Sequence, residues 1–599
     1  MKEQDWNQIK TKVNLHIVNS KYTVGKTMQI LSLIVSVLTI AAIIIYHGFV
    51  ISPTLVKIIR GLVFVSLAFY VFKYCISMFY SLHKWEFIKK SKFEFAIIFI
   101  LVLHFLLFHF FGIDLLDIKK FENIYVLCVQ LYFLVIMVIE LAKASTMVAK
   151  VNLSPPVLMM GSFLALIVMG TILLSLPRMT THSISFADAL FTATSASCVT
   201  GLTVLSTAND FTIQGQIIIM LLVQLGGMSI LSFATFFATF LSRSYVGLRY
   251  QYLVKDMMAT DKLSDSFSML RQIILATLII ESAGVLLFYM YWRTTGFFDG
   301  TGTTFFYSVF HTISAFNNSG FALWDASFMD AQVCNSYFPQ TLIMILVFLG
   351  GIGFVTISEF FNPSAIRMRK KYKWKRLTPG TKIVLITTFG IIIVGTLLFF
   401  ALEYNHSLAE KDTLIDKIFA SMFQIISGRT AGFNIIDVNT ISTPGMLLVM
   451  MIIFIGASPG STGGGIKTTT FFVLMKSVMA TIKGKQHIEF DKKTIPFSLV
   501  DKAYSIVVLS LGIILVSTFV LAIIEPKTDL INVMFESISA FTTCGLSTNC
   551  QYGFTDAGKF VLVADMYIGR IGTLTIAYAL GKRSVESRHT YPEMYFMVG

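Results

Sequence analysis

The feature that most limits how this 599-residue chain can fold is a short stretch that recurs four times around a glycine. Its copies are Ser197-Cys198-Val199-Thr200-Gly201-Leu202, Phe316-Asn317-Asn318-Ser319-Gly320-Phe321, Gly428-Arg429-Thr430-Ala431-Gly432-Phe433 and Phe541-Thr542-Thr543-Cys544-Gly545-Leu546. The glycines stand 119, 112 and 113 residues apart. Phe191, Phe310 and Phe535 each lie ten residues before the glycine, and Ser195, Ser314 and Ser539 lie six before it. The third copy has Met422 and Ile426 at those places, with Phe423 and Ser427 one place later. A second glycine (Gly226, Gly350, Gly456 or Gly569) follows 25, 30, 24 or 24 residues on and is expected to open the next apolar span. Four copies in register with shared landmarks make an internal repeat.

The copies are set among apolar runs. A helix needs about 20 apolar residues to cross a bilayer core of roughly 30 Å. Runs of suitable character occupy 29–45, 56–79, 95–111, 124–139, 157–176, 216–241, 272–292, 340–360, 382–402, 446–457, 504–524 and 558–581. With 55% hydrophobic and 13% charged residues, no single water-soluble core could hide that much apolar surface. The segments just before the repeated glycines, such as 186–197 and 530–541, are too short to span and must re-enter the side they left. Irregular backbone at membrane depth survives only when buried in protein or lining a watery cavity. The expected fold is therefore an all-α integral membrane protein. Four fused repeats of outer helix, pore loop and inner helix, over 153–245, 270–365, 380–482 and 500–599, surround one pore. A four-helix transmembrane extension over 1–150 precedes them.

The net charge of +14 reads as the positive-inside rule and not as nucleic-acid binding. Basic residues cluster in alternate loops: Lys2 to Lys26, Lys84 to Lys92, Lys143 and Lys150, Arg243 and Arg249, Arg367 to Arg376, and Lys483 to Lys493. Asp299, Asp325, Asp330, Glu403, Glu410 and Asp416 occupy the loops between. This alternation puts both termini in the cytoplasm. The first apolar run, near Met28, is span-length and has no processing site after it, so a cleaved leader is not expected. The six cysteines form no CxxC, and a Cys544–Cys550 disulfide is not expected.

Rings of backbone carbonyls can replace the hydration shell of a cation, and glycine permits the dihedrals that aim them at one axis. No side chain in the four stretches is acidic, which disfavours Ca²⁺ and Mg²⁺. The expected cation-binding residues are Val199, Thr200, Gly201, Asn318, Ser319, Gly320, Thr430, Ala431, Gly432, Thr543, Cys544 and Gly545.

Over roughly 153–599 the chain resembles the Trk/Ktr/HKT superfamily of K⁺ transporters, in particular its bacterial TrkH/KtrB-type membrane subunits. The most specific matches are Gly456-Ala-Ser-Pro-Gly-Ser-Thr-Gly-Gly-Gly-Ile-Lys467-Thr-Thr-Thr and Ile568-Gly-Arg-Ile-Gly-Thr-Leu-Thr575. The resemblance implies that Gly201, Gly320, Gly432 and Gly545 are selectivity glycines. In that superfamily serine at the first goes with Na⁺ preference, so Gly201 implies K⁺. It also implies a bacterial inner-membrane location, a homodimer, and a separate cytoplasmic nucleotide-binding ring subunit. The basic run Arg367–Arg376 and Lys582-Arg583 are the expected docking surface for that subunit. Ser229 replaces an expected glycine, Gly463 a usual alanine and Thr573 a usual proline.

The glycine-rich run from Ser458 to Gly465 cannot be stable helix, since each glycine costs about 1 kcal/mol against alanine and proline about 3. The third inner helix is expected to break there into a mobile loop beneath the filter. Ser458, Gly460, Ser461, Thr462, Gly463, Gly464, Gly465, Lys467 and Arg570 are its expected gating residues. Ile466 separates the last glycine from Lys467, so the run is no Walker A loop and this chain is not expected to bind nucleotide. Glu281 is an ionisable group in a span and so a functional or structural candidate. His104, His109 and His311 lack a second ligand at metal spacing. Glu536 and Asp565 are candidate partners for Arg429 or Arg570. No nucleophile–base pair converges within the spans, so an enzyme is not expected. The competing transport reading is a Na⁺-permeable or Na⁺-coupled member of the same superfamily.

Overall fold

The computed structural model describes residues 52–81, 84–86, 155–228 and 263–580, except 331–332, 335, 362 and 372–376, with scattered positions of 20–49. The expected spans 95–111 and 124–139 and the far part of 216–241 lie outside the described residues. So do His104, His109, Ser229, Arg243, Arg249 and Lys582-Arg583.

The chain forms two compact units. The first comprises Met1–Val151 with Leu176–Arg178 and Ala234–Val246. Its described helices are Thr23–Gly48 and Pro53–Phe79. Ser52 caps the second by accepting from Leu55 N, with Pro53 in the first turn where no N–H is missed. Two polar contacts tie the apolar pair together: Thr39 Oγ1 to Ser66 Oγ at 2.8 Å and Tyr70 Oη to Ser32 O at 3.1 Å.

The second unit repeats one arrangement four times. The long helices Pro155–Leu174, Leu263–Thr294, Pro379–Glu403 and Phe497–Ile524 are each followed by a short one. The short helices are Phe186–Cys198, Thr301–Phe316, Leu414–Ser427 and Leu530–Thr542. At 1.5 Å per residue none of them could cross a bilayer. After an irregular stretch come Ile213–Gly227, Tyr337–Gly351, Thr443–Ile455 and Asp556–Ile571. Among the described residues, Thr23–Gly48, Gln272–Thr294, Pro379–Glu403 and Phe497–Ile524 are long and apolar enough to cross a membrane singly.

The second shared glycine does not open the next helix; it lies in its last turn or just past it. A Cβ on Gly226, Gly350 or Gly569 would strike the carbonyl oxygen of Ser197, Phe316 or Phe541, at or beside the end of the preceding short helix. Gly456 is different: its φ is +49°, and a Cβ there would lie 2.5 Å from Gly464 O. Past Gly350 the chain bends and resumes as Phe354–Phe361, at 102° to its predecessor; past Gly456 and Gly569 it resumes as Thr468–Ile482 and Thr573–Leu580. Thr573 is the first helical residue after Gly572, the position where proline is best tolerated, so its departure from the family pattern leaves the break intact.

Sequence reading missed how the inner helices start. Thr212, Ser442 and Thr555 cap them, and each hydroxyl accepts from the N–H of a glycine three residues on: Gly215, Gly445 or Gly558. Glu403 and Glu525, at the ends of their long helices, accept from the backbone and hydroxyl of Ser442 and Thr555. The Ser/Thr-x-x-Gly pattern was the available signal. The all-α expectation also needs a small correction, because Ile488–Phe490 pairs antiparallel with Lys493–Ile495. The turn between them, Asp491-Lys492, has φ of 48° and 62°, as a tight hairpin demands, and Lys382 Nζ reaches Asp491 at 2.6 Å.

Gly569→Ala should lower the unfolding temperature of the detergent-solubilised protein, since overpacking costs about 1–3 kcal/mol. Gly512→Ala, with nothing within 4 Å of its Cβ, should leave it unchanged or raise it. A thermal melt of both variants checks the contrast.

Candidate functional site

The four repeated stretches share one backbone conformation. Val199, Asn318, Thr430 and Thr543 are left-handed, with φ of 58°, 58°, 67° and 52°. Two residues later Gly201, Gly320, Gly432 and Gly545 have φ of 87°, 72°, 75° and 89°. Left-handed backbone at a β-branched residue such as Val199, Thr430 or Thr543 costs about 1–3 kcal/mol and persists only where the surroundings over-determine it. All three are fully buried.

The stretches close into a ring. A Cβ on Gly201 would strike Ser319 O, and one on Gly545 would strike Thr200 O. On Gly320 it would lie 2.7 Å from Ala431 O, and on Gly432 2.6 Å from Cys544 O. Each glycine thus abuts the backbone of the next stretch, in the order 201, 320, 432, 545 and back to 201. The hydroxyls of Thr200, Thr430 and Thr543 are buried with no protein partner.

The third copy, offset in sequence, has counterparts in space. Phe423 is as buried as Phe191, Phe310 and Phe535. Ser427 Oγ donates to Phe433 O at 2.6 Å, as Ser314 does to Phe321 O and Ser539 to Leu546 O. One residue is therefore missing between this serine and its glycine, and the turn tightens so that Ala431 N bonds Ser427 O at 2.8 Å. In the first copy, Ser195 Oγ accepts from Gly201 N at 3.0 Å.

The break from Ser458 to Gly465 is pinned on several sides. Ser458 N and Thr462 N donate to Gly351 O and Gly350 O at 3.0 and 3.3 Å, and Phe354 N donates to Gly460 O at 2.9 Å. Ser461 Oγ returns to Ser458 O, and Lys467 Nζ donates to Gly463 O at 2.8 Å. A Cβ on Gly463 would strike Thr430 Oγ1, and one on Gly464 would strike Thr543 Oγ1, so the loop lies directly against two of the ring's stretches. That contact accounts for glycine at 463, where alanine is usual.

Arg570 donates through one nitrogen to Thr462 O and through the other to Gly226 O at 2.6 Å. Gly226 lies in the last turn of Ile213–Gly227, where a cation meets the negative end of the helix dipole. Among the described residues neither candidate acid, Glu536 or Asp565, pairs with Arg429 or Arg570. Glu536 accepts from Ser547 and Thr548, Asp565 from Ser517 and Ser537, and Arg429 donates to Thr388 Oγ1 at 3.3 Å. Neutral donors bind one oxygen each of Glu536 and Asp565, leaving Glu536 Oε2 buried without a partner, and carbonyls accept from Arg570. Glu281 accepts from Gln224 Nε2 at 3.1 Å and Asn317 Nδ2 at 3.4 Å, which makes it a buttress behind the second stretch. Cys544 and Cys550 are both free thiols. Among the described residues no group of three His, Cys, Asp or Glu is placed to hold a metal ion.

Residues 129–586 match the TrkH family, described as a cation transport protein. The chain is 34% identical over 454 residues to the Ktr system potassium uptake protein B of Bacillus subtilis, covering 74% of this chain and 96% of that protein. It is 33% identical over 456 residues to the potassium/sodium uptake protein NtpJ of Enterococcus hirae, covering 75% and 98%. The crystal structure of the potassium transporter TrkH from Vibrio parahaemolyticus superposes with a TM-score of 0.56, over 92% of this chain and 98% of that one. At 17% identity, that likeness speaks for the fold alone.

Proposed function

The chain belongs to the TrkH cation transport protein family, and on that premise we propose that it takes up K⁺ through the ring closed by Gly201, Gly320, Gly432 and Gly545. The carrying observation is the closed ring itself, four backbones in contact at residues where only glycine fits. Carbonyls of the four stretches replace the hydration shell of the ion, and the short helices present their partly negative C-terminal ends to it. At about 100 mV, inside negative, each entering charge gains about 2.3 kcal/mol, so uptake needs no nucleotide on this chain. The protein sits in a bacterial cytoplasmic membrane with both termini inside, a reading supported by the alternation of basic loops. Residues 1–128 precede the family match, and half of the four-helix extension expected over 1–150 lies outside the described residues.

Similarity to a potassium/sodium uptake protein favours a second reading, in which Na⁺ also passes or is coupled. Rubidium and sodium uptake into liposomes holding the purified protein separates the two. Under the K⁺ reading, Gly201→Ser lowers K⁺ over Na⁺ discrimination by about tenfold, a change of about 1.4 kcal/mol. Unchanged discrimination with normal expression would count against the ring as the filter.

The loop from Ser458 to Gly465 is the gate in this reading. It abuts Thr430 and Thr543, and Arg570 fastens it to the first inner helix. Lys467 adds positive charge at its far end. The subunit works as a homodimer with a separate cytoplasmic nucleotide-binding partner, a reading supported by similarity to a Ktr-system protein. The basic helix Pro363–Lys371, with Arg367, Lys370 and Lys371 exposed, is part of the docking surface.

Arg570→Ala, or deletion of 461–464, should raise K⁺ flux and make it less dependent on that partner. Flux with and without the partner decides; full dependence in both folded variants would make the loop a passive kink. Neutralising Arg367, Arg369, Lys370 and Lys371 together should abolish co-purification of the partner, and retained binding would sink the docking assignment.

A further inference from the structure

The residue after the shared phenylalanine on each short helix divides the four repeats into two pairs. These residues are Thr192, His311, Gln424 and Glu536. Leu323 N donates to His311 Nε2 at 3.2 Å. A backbone amide can only donate, so Nε2 is the acceptor, and the proton on Nδ1 goes to Tyr307 O at 2.8 Å. In the fourth repeat Glu536 Oε1 accepts from Thr548 N at 2.7 Å and Thr548 Oγ1 at 3.0 Å. Leu323 and Thr548 are each the third residue past their glycine. The same strut thus recurs in two repeats, built from different residue types.

The other two repeats lack it. Thr192 Oγ1 and both amide atoms of Gln424 are buried with no protein partner. Their stretches are held from next door. Gln551 Nε2 donates to Thr203 O at 3.0 Å, two residues past Gly201. Gln551 Oε1 lies 2.6 Å from the Ser547 hydroxyl, which lies 2.8 Å from Glu536 Oε1. Asn434 N, two residues past Gly432, donates to Ser327 Oγ at 3.4 Å. Beside it Phe433 meets Phe328 edge-on, and Phe328 meets the His311 ring edge-on. In the order of the ring, the fourth repeat supports the first and the second supports the third.

We propose that His311 and Glu536 are positioning residues for ion selection. They are two struts on opposite sides of the ring, each fixing the chain past its own glycine and, through it, the chain past the next. This rests on the transport reading above, and it makes the fourfold ring twofold in its mechanical support. The role of Glu536 is to accept hydrogen bonds, so an uncharged acceptor of the same length serves equally.

The test is K⁺ and Na⁺ uptake by the purified full chain in liposomes. Wild-type K⁺ uptake tests the transport reading by itself; the variants test the struts. His311→Ala and Glu536→Ala are expected to lower K⁺ over Na⁺ discrimination by about tenfold, in line with loss of a buried hydrogen bond. His311→Gln and Glu536→Gln keep an acceptor and retain it. Thr192→Ala and Gln424→Ala, at the matching positions without struts, leave it unchanged. Gln551→Leu cuts the link to Thr203 without touching a short helix, and it is expected to lower discrimination even if the alanine variants fail to fold. Equal losses at all four helix positions, a loss in Glu536→Gln matching that in Glu536→Ala, or normal discrimination in Gln551→Leu would each overturn the proposal.

Discussion

Four backbones brought into mutual contact are the constraint on which the rest of the second unit depends. A Cβ at any of Gly201, Gly320, Gly432 or Gly545 would overlap or press on a neighbouring carbonyl oxygen. Contact at that range leaves the main chain few conformations, and the residues two places earlier are driven into left-handed dihedrals that valine and threonine resist. Strain of about 1–3 kcal/mol per residue has to be offset elsewhere. The offset is local: a fully buried phenylalanine, a serine bonded across the turn and a short helix packed on both sides.

The same rule acts a second time beneath the ring. Gly226, Gly350 and Gly569 let each inner helix touch the carbonyl at the end of its own short helix. The third repeat breaks the pattern, because Gly456 faces Gly464 and the loop glycines 463 and 464 come up against Thr430 and Thr543 instead. This is also the repeat with the shortened turn after Ser427. Both departures fall where the chain leaves its helix, so a single repeat has exchanged helix-to-helix contact for a loop held by hydrogen bonds. Hydrogen-bonded loops open at lower cost than packed helices.

Much of this was legible in the sequence. The short segments were bounded to within a residue at 186–197 and 530–541, against Phe186–Cys198 and Leu530–Thr542. Glycine spacing is a backbone property and survives divergence of side chains, so it showed through. The helix caps at Thr212, Ser442 and Thr555 had a local signal in Ser/Thr-x-x-Gly, whereas the carboxylates that bind Ser442 and Thr555, Glu403 and Glu525, are distant in sequence and left no mark. The direction of the second glycine was misread for a related reason. Apolar character runs through Gly350 and Gly569, and the helices stop a little further on, beside Gly353 and Gly572, whose φ of 87° and 92° suits glycine. The struts at His311 and Glu536 could not be aligned at all, since one is a ring nitrogen and the other a carboxylate.

The pairing of buried charges follows from the same geometry. Arg570 lies on carbonyls, one of them in the broken third inner helix, while Glu281, Glu536 and Asp565 take hydroxyl or amide donors. A free carboxylate beside the ring would bind a cation strongly, and conduction needs sites that release as readily as they hold. Under the proposed transport reading, Glu281 and Asp565, held by neutral donors behind the ring, stiffen it without offering the ion a free ligand. Carbonyls at a helix end can likewise hold a guanidinium without burying an anion near the path. Under the proposed gating, an arginine held this way is released by moving one loop, with no ion pair to break, which suits that role better than a salt bridge would.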